Sequence, residues 1–400
     1  MKFQFKSRAA RVATIAGAAT LVAATLTVGA GAGAGAAVKA HTTYAKTLAC
    51  EVTDTGGIND KSFNASAYAG LTAAGKLSKN ISTKVTSSPS TADNSTYQTE
   101  INAFVTQKCN VIITVGFLMS DATWAAAVAN PTIHFAQVDN ADANPNDCPT
   151  YGSPCAGGAT LTNYLGLTYN TQEDAFLGGY EAAAYAASKN PSAPKVATYG
   201  GMQFSSVTTY MDGFYDGVQY FNTTVKPAHA VTVLGWNEKS QTGTFIGSFS
   251  DTATAQSDTA AWLAQGVTTI FPVAGSDGLG TTAAVATWNA SHALKANVEW
   301  VDSDGCVADA TDCNLFLNSV TKGVTASVTA AIVAQATGKY YGGKNFGGNY
   351  VGTLKNGGAA FVQDSQSTMA KTLSKSVLSA VATISSKIQS GAIKVAINGN

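Results

Sequence analysis

Beyond residue 11 this chain contains no arginine; Arg8 and Arg11 are the only two among 400 residues. Arginine is the side chain that clamps carboxylates and phosphates through two parallel hydrogen bonds. Its absence argues against an amino-acid or phosphorylated ligand, since only lysine or backbone amides remain to hold a phosphate. Charge is sparse as well. Asp, Glu, Lys and Arg make up 12% of the chain and balance to a formal net charge of zero. A partner gripped by bulk charge, such as nucleic acid, is therefore excluded. The four histidines (His41, His134, His229 and His292) are scattered, none lies near a cysteine pair, and there is no CxxC. No metal and no cofactor are expected. Nor is there a GxSxG, HExxH, Walker loop or strand-borne GxGxxG, so a binding protein is expected in preference to an enzyme. A hydrolase working through two acids would need no short motif and remains an alternative.

What is present is apolar material, 45% of the chain, enough for real cores. The first 40 residues read as an export signal. Lys2, Lys6, Arg8 and Arg11 form a basic start, an alanine-rich apolar run follows from Val12 to about Val28, and small residues suit cleavage near Ala36, Ala37 or Ala40. That basic start holds four of the 24 Lys+Arg, so the remainder carries 20 against 24 acids and is mildly acidic. No later apolar span is long enough to cross a membrane. The expected location is extracellular or associated with the cell envelope. Six cysteines in an exported chain suggest disulfides. Local loop closure favours Cys148–Cys155 and Cys306–Cys313, which leaves Cys50 with Cys109. Cys50 lies inside the first expected strand, behind a poor lipidation context.

Short apolar strands alternate with longer helical stretches. Strands are expected at 47–53, 111–116, 133–138 and 161–168, with helices at 62–78, 94–108 and 121–129. The alternation restarts with a helix at 171–188. Strands follow at 195–199, 230–234, 268–273 and 298–302, and helices at 206–222, 254–265 and 278–292. A helix over 319–337, a glycine-rich turn region at 340–350, a strand at 358–363 and a helix over 367–390 close the pattern. Such alternation predicts parallel sheets with right-handed crossovers. Two runs in series predict an α/β chain of two lobes, 41–168 and 169–304. The tail is expected to complete lobe 1 with about 305–337 and lobe 2 with about 338–400. Ligands of parallel α/β sheets sit beyond the C-terminal ends of the strands, so the cleft between the lobes is the expected site.

The stretch VTDTGGINDKSFN (52–64) leaves the first strand, turns on Gly56-Gly57, and offers Asp60 as a helix cap. A cap and a turn do not account for Phe63-Asn64, a flat ring beside an amide at the cleft end of the sheet. The longer segment TDTGGINDKSFNASAYAGL resembles the signature of the basic membrane protein (Bmp, or PnrA-like) family of ABC-transporter substrate-binding proteins. VGFLMSDA (115–122), IHFAQVD (133–139), YNTQEDAFLGGYEAA (169–183), GSFSD (247–251), AGSDGLG (274–280), VDSD (301–304), SVTKGV (319–324) and VGTLKNGG (351–358) follow in the family's order.

The resemblance implies a type I periplasmic-binding-protein fold, two Rossmann-like lobes around a hinged cleft. It implies a nucleoside ligand, often a purine nucleoside, and a membrane permease as partner. A monomer is expected. Carried over by position, Phe63 and Tyr210 are the two rings that sandwich the base, and Asn64 contacts base or sugar. Asp139 reads the base, with Asp121 as its alternative. Asp251, Gly275, Asp302 and Lys322 hold the ribose, with Asp304 as the alternative to Asp302, because the Cys306–Cys313 insertion blurs the alignment there. Each residue also has a plainer reading: Tyr210 as packing, Asp251 as a cap for the helix near Thr252, Gly275 as a turn, the acids after 301 as turn residues, and Lys322 as a surface lysine. A sensor of the same fold, binding a sugar or another small polar ligand, is a further alternative.

Overall fold

The computed structural model describes residues 42–141, 161–339 and 346–396. From its start the chain runs β1 (Thr47–Val52), α1 (Phe63–Leu77), β2 (Ile81–Thr86), α2 (Asn94–Thr106), β3 (Val111–Val115), α3 (Ser120–Ala129), β4 (His134–Val138) and β5 (Tyr164–Tyr169). The second run is α4 (Thr171–Lys189), β6 (Lys195–Gly200), α5 (Ser205–Val225), β7 (Thr232–Leu234), a small ribbon of β8 (Trp236–Asn237) and β9 (Thr242–Gly243), α6 (Thr252–Ala264), β10 (Thr269–Val273), α7 (Gly278–Ser291) and β11 (Asn297–Asp302). The tail adds α8 (Gly305–Ala308), β12 (Phe316–Lys322), α9 (Val324–Thr337), β13 (Gly348–Gly352), β14 (Ala359–Val362) and α10 (Lys375–Gln389).

Two six-stranded sheets result. The first has the order β13-β5-β4-β3-β1-β2 and is parallel throughout. The second has the order β14-β12-β11-β10-β6-β7, with only β14 antiparallel. All five residues of β3 (VIITV) and of β10 (TIFPV) are buried, as they must be where helices cover both faces of a parallel sheet. Cys50 of β1 bonds to Cys109 just ahead of β3, tying neighbouring strands, and Cys306 bonds to Cys313. Cys148 and Cys155 lie outside the described residues. Among the described residues no helix is long and apolar enough to cross a membrane.

The tail divides differently from the expectation. β12 joins the second sheet beside β11, and of 305–337 only α9 turns back to lobe 1, where Val324, Val328 and Ile332 enter the first core. Conversely β13 leaves 338–400 to extend the first sheet alongside β5, while β14 and α10 stay with lobe 2. The helix expected over 319–337 is in fact strand up to Lys322 and helix from Val324. Gly323 alone separates them, so two buried elements run together without a polar turn to mark the join. The helix expected over 367–390 begins at Lys375.

The described residues thus pass between lobes three times: at Asn170, at Gly323 and over 353–358. These crossings bond to one another, with Asn170 N donating to Gly352 O at 2.7 Å and Gly323 N to Gly358 O at 2.8 Å. They form the hinge strip. Below it α4 and α5 pack backbone to backbone: a Cβ on Gly179 would run into the Phe214 carbonyl, and one on Gly217 into the Phe176 carbonyl. Gly217→Ala should therefore cost about 1–3 kcal/mol through overpacking. Urea unfolding of the variant checks this, and an unchanged midpoint would show that the helices can separate freely.

Candidate functional site

The loop after β1 is built around two acids. Asp60 accepts backbone hydrogen bonds from Ser62 (2.9 Å), Asn64 (2.8 Å) and Ala65 (3.0 Å), satisfying the open first turn of α1. The Asn64 amide is engaged within the protein. Its Nδ2 donates to Asp54 Oδ1 at 2.7 Å and to Asp60 Oδ2 at 3.0 Å, and its Oδ1 accepts from Asp54 N at 3.1 Å. Asn64 lines the cleft, yet it acts first as the brace that holds Asp54 and Asp60 apart. Asp54 Oδ1 accepts a second bond, from Gly56 N at 3.1 Å. Oδ2 points to Gly116, where a Cβ would approach within 2.6 Å. Burial raises the Asp54 pKa to about 7, with hydrogen bonds from Asn64 and Gly56 pulling against it.

Opposite this loop lies a group of three charges. Lys322, at the end of β12, donates to Asp139 Oδ2 at 2.6 Å and stands 3.7 Å from Asp302 Oδ1. Asp139 follows β4 in lobe 1, and Asp302 ends β11 in lobe 2. Both sit at φ 66°, in the left-handed region that side chains other than Asn, Asp and His rarely occupy. The same backbone turn at matching strand ends of two lobes brings both acids to Lys322. Asp302 also accepts from Tyr210 Oη at 3.1 Å and from Ser62 Oγ at 3.0 Å. The Lys322 ammonium lies 5.0 Å from the centroid of the Phe63 ring and 5.1 Å from that of Tyr210, so an aromatic ring from each lobe faces it. Burial alone would lower the Lys322 pKa. Asp139 and Asp302 outweigh it and hold the lysine charged, above its ordinary value.

These groups share one cleft with an empty volume of about 560 Å³, part of it open to solvent. Seven of the eight residues expected at the site line it: Phe63, Asn64, Asp139, Tyr210, Gly275, Asp302 and Lys322. Asp251 does not. It caps α6, accepting from Thr254 N at 3.1 Å and Thr254 Oγ1 at 2.7 Å. Of the alternatives, Asp304 caps α8 through Val307 N at 3.2 Å, and Asp121 lies in the first turn of α3; neither lines the cleft. The cleft also holds residues that the sequence analysis does not single out: Asp54 and three further rings. Phe117 of lobe 1 meets Phe204 of lobe 2 at 5.2 Å between centroids, and Phe204 lies 6.5 Å from Phe249. Lys322 is the one cation among the described residues that line the cleft.

Residues 48–396 match the family model described as ABC transporter substrate-binding protein PnrA-like. The chain belongs to this family. It is 30% identical over 321 residues to the ABC transporter nucleoside-binding protein BmpA of Lactococcus lactis subsp. cremoris, a match that covers 78% of this chain and 80% of the relative. It is 27% identical over 226 residues to basic membrane protein A2 of Borrelia garinii subsp. bavariensis, 56% of each chain. Among solved structures it resembles an ABC-transporter solute-binding protein from Aeropyrum pernix K1, with a TM-score of 0.73 at 21% identity, covering 88% of this chain and 94% of that one. A second such protein, from Conexibacter woesei, gives 0.60 at 16% identity over 88% and 98%. These two likenesses carry the fold, and both are folds of solute-binding proteins.

Proposed function

We propose that this substrate-binding protein takes up a nucleoside, with purine nucleosides preferred, and that it is exported and presents its ligand to an ABC permease. The observation that carries the reading is the position of Lys322 between two rings and two carboxylates, one of each from either lobe. A ligand settling there meets flat apolar faces and hydroxyl acceptors together, and a nucleoside supplies both complements. The base stacks on Phe63, with the rings of lobe 2 beyond it. Asp139, tied to Lys322 at 2.6 Å, joins Asp302 and Lys322 on the ribose hydroxyls in place of the base-reading role that the resemblance implies, and the turn at Gly275 lets backbone approach closely. Asp54 offers its carboxyl to the base edge, while Asn64 keeps it in place. Four carboxyl groups line the cleft (Asp54, Asp60, Asp139 and Asp302) against one lysine. That balance disfavours a phosphorylated ligand, as the missing arginines do. The relative named as nucleoside-binding supports the same reading.

The direct test is calorimetric titration of the refolded, ligand-stripped protein against adenosine, guanosine, inosine, cytidine and uridine, with ribose and a branched-chain amino acid as controls. Binding of one or more nucleosides, purines first, is expected. Binding of ribose alone would overturn the role given to the rings. Phe63→Ala is expected to weaken nucleoside binding by about 1–3 kcal/mol through lost stacking. The fold should be untouched, because the ring borders the first core without being buried in it. Unchanged affinity would remove Phe63 from the site.

A further inference from the structure

We infer that Lys61 and the disulfide-closed loop 306–313 form a latch between the lobes, outside the cleft, that sets how long the protein holds its ligand. The inference rests on the binding role above, but its geometry does not. Lys61 belongs to lobe 1, in the loop that carries Phe63. Its ammonium bonds to Asp309 Oδ1 of lobe 2 at 2.8 Å. The lysine side chain is 41% exposed, whereas that of Asp309 is only 3% exposed. Asp309 is fixed in its own lobe, its N donating to Gly305 O at 2.7 Å and its carbonyl accepting from Asp312 N at 3.1 Å. Gly305 N in turn donates to Ser319 Oγ of β12 at 2.9 Å.

The backbone of Lys61 takes part as well. Its φ of 57° is left-handed, and its carbonyl accepts from Ser303 Oγ at 3.0 Å and Trp300 Nε1 at 3.4 Å, both in lobe 2. The next residue, Ser62, donates to Val301 O at 3.1 Å and to Asp302. Two consecutive residues thus hold lobe 1 to lobe 2 at the rim, and none of their partners except Asp302 lines the cleft. Opening the lobes would break all of these bonds at once. In an open form Lys61 is solvated and Asp309 loses its cation, so the ion pair favours closure selectively. A bias toward closure raises apparent affinity and slows release without touching the ligand. The disulfide matters because it closes the short loop in which Asp309 sits.

The test uses the whole protein with Lys61→Met, which keeps most of the stem, Asp309→Asn, and the double variant. Two measurements are paired. Small-angle scattering without ligand should show both single variants shifted toward an open, larger particle, while the thermal midpoint stays near that of the parent. The release rate of bound inosine should rise about two- to fivefold in each single variant, with no further rise in the double and an unchanged association rate. Parent-like scattering and release in both single variants, or effects that add in the double, would overturn the latch. If inosine and the other nucleosides fail to bind the parent protein, the ligand reading falls, and the scattering comparison alone decides the latch.

Discussion

Lys322→Met is expected to destabilise the protein by about 3–5 kcal/mol and to abolish ligand binding. The lysine is buried and reaches Asp139 at 2.6 Å and Asp302 at 3.7 Å. Removing it leaves two carboxylates from opposite lobes facing each other without a cation. The cost falls on both lobes, because each acid is held on a left-handed turn and cannot swing away freely. Asp302 fares better than Asp139, since Ser62 and Tyr210 still donate to it. Adding Asp139→Asn to the variant should therefore recover part of the lost stability without recovering binding. Urea unfolding measures the first effect and calorimetry the second. A Lys322→Met protein of parental stability would mean that water, and not the lysine, satisfies these acids.

Much of this arrangement is legible in the sequence, and the parts that are not have definite causes. The α/β class follows from apolar strands spaced by helical stretches, and the strand-end rule places Phe63, Asp139, Gly275 and Asp302 at one cleft. β2 escapes the pattern because ISTKVT is an edge strand with three exposed residues, so its apolar signal is thin. β13 escapes it because a strand of glycine, asparagine and tyrosine on the rim of a sheet reads as a turn. β12 reads as the start of a helix, since a strand buried on both faces has no alternation to show. The same ambiguity attends acids after strands. Asp251 and Asp302 look alike in sequence, yet one caps a helix and the other faces Lys322. Asp54 is the converse case: its carboxyl is drawn into the cleft by Asn64, ten residues away, a contact that no local pattern announces. The latch at Asp309 is hidden for a similar reason, because the loop that carries it looks like an insertion.

The stability of this protein is expected to fall as pH rises from 5 to 9, and Glu51→Gln is expected to remove the share of that fall that belongs to Glu51, one of several buried carboxyls. Glu51 is on the central strand β1, fully buried, and neither carboxyl oxygen has a hydrogen-bond partner among the described residues. Burial raises its pKa from the ordinary 4.5 to about 8. The second lobe holds a matching group beneath its sheet. Burial raises Glu181 to about 7, with Asn318 and Gln363 donating to it, and pushes Asp174 and Glu299 well above the usual carboxylate range. A carboxyl whose pKa rises on folding stabilises the fold fully below its unfolded pKa, and that contribution is lost as pH climbs through the folded pKa. For Glu51 the window runs from about 4.5 to about 8. Its full width is worth at most about 5 kcal/mol. Entry of water around an ionised Glu51 brings the realised cost below this ceiling, since buried sites behave as if more polarisable than a dry interior. Exposed Asp93 and Asp251, lowered by the hydrogen bonds of their helix caps, act in the opposite sense and only at acid pH. The isosteric amide that Glu51→Gln introduces does not titrate. At pH 5 parent and variant should agree within about 1 kcal/mol, since each buries one unpartnered polar group. At pH 9 the variant should be the more stable, by a margin below that ceiling. Urea unfolding at unit steps of pH reads both curves. Curves that stay parallel would show that Glu51 is already ionised in the folded protein and that the interior of β1 admits water or a counter-charge.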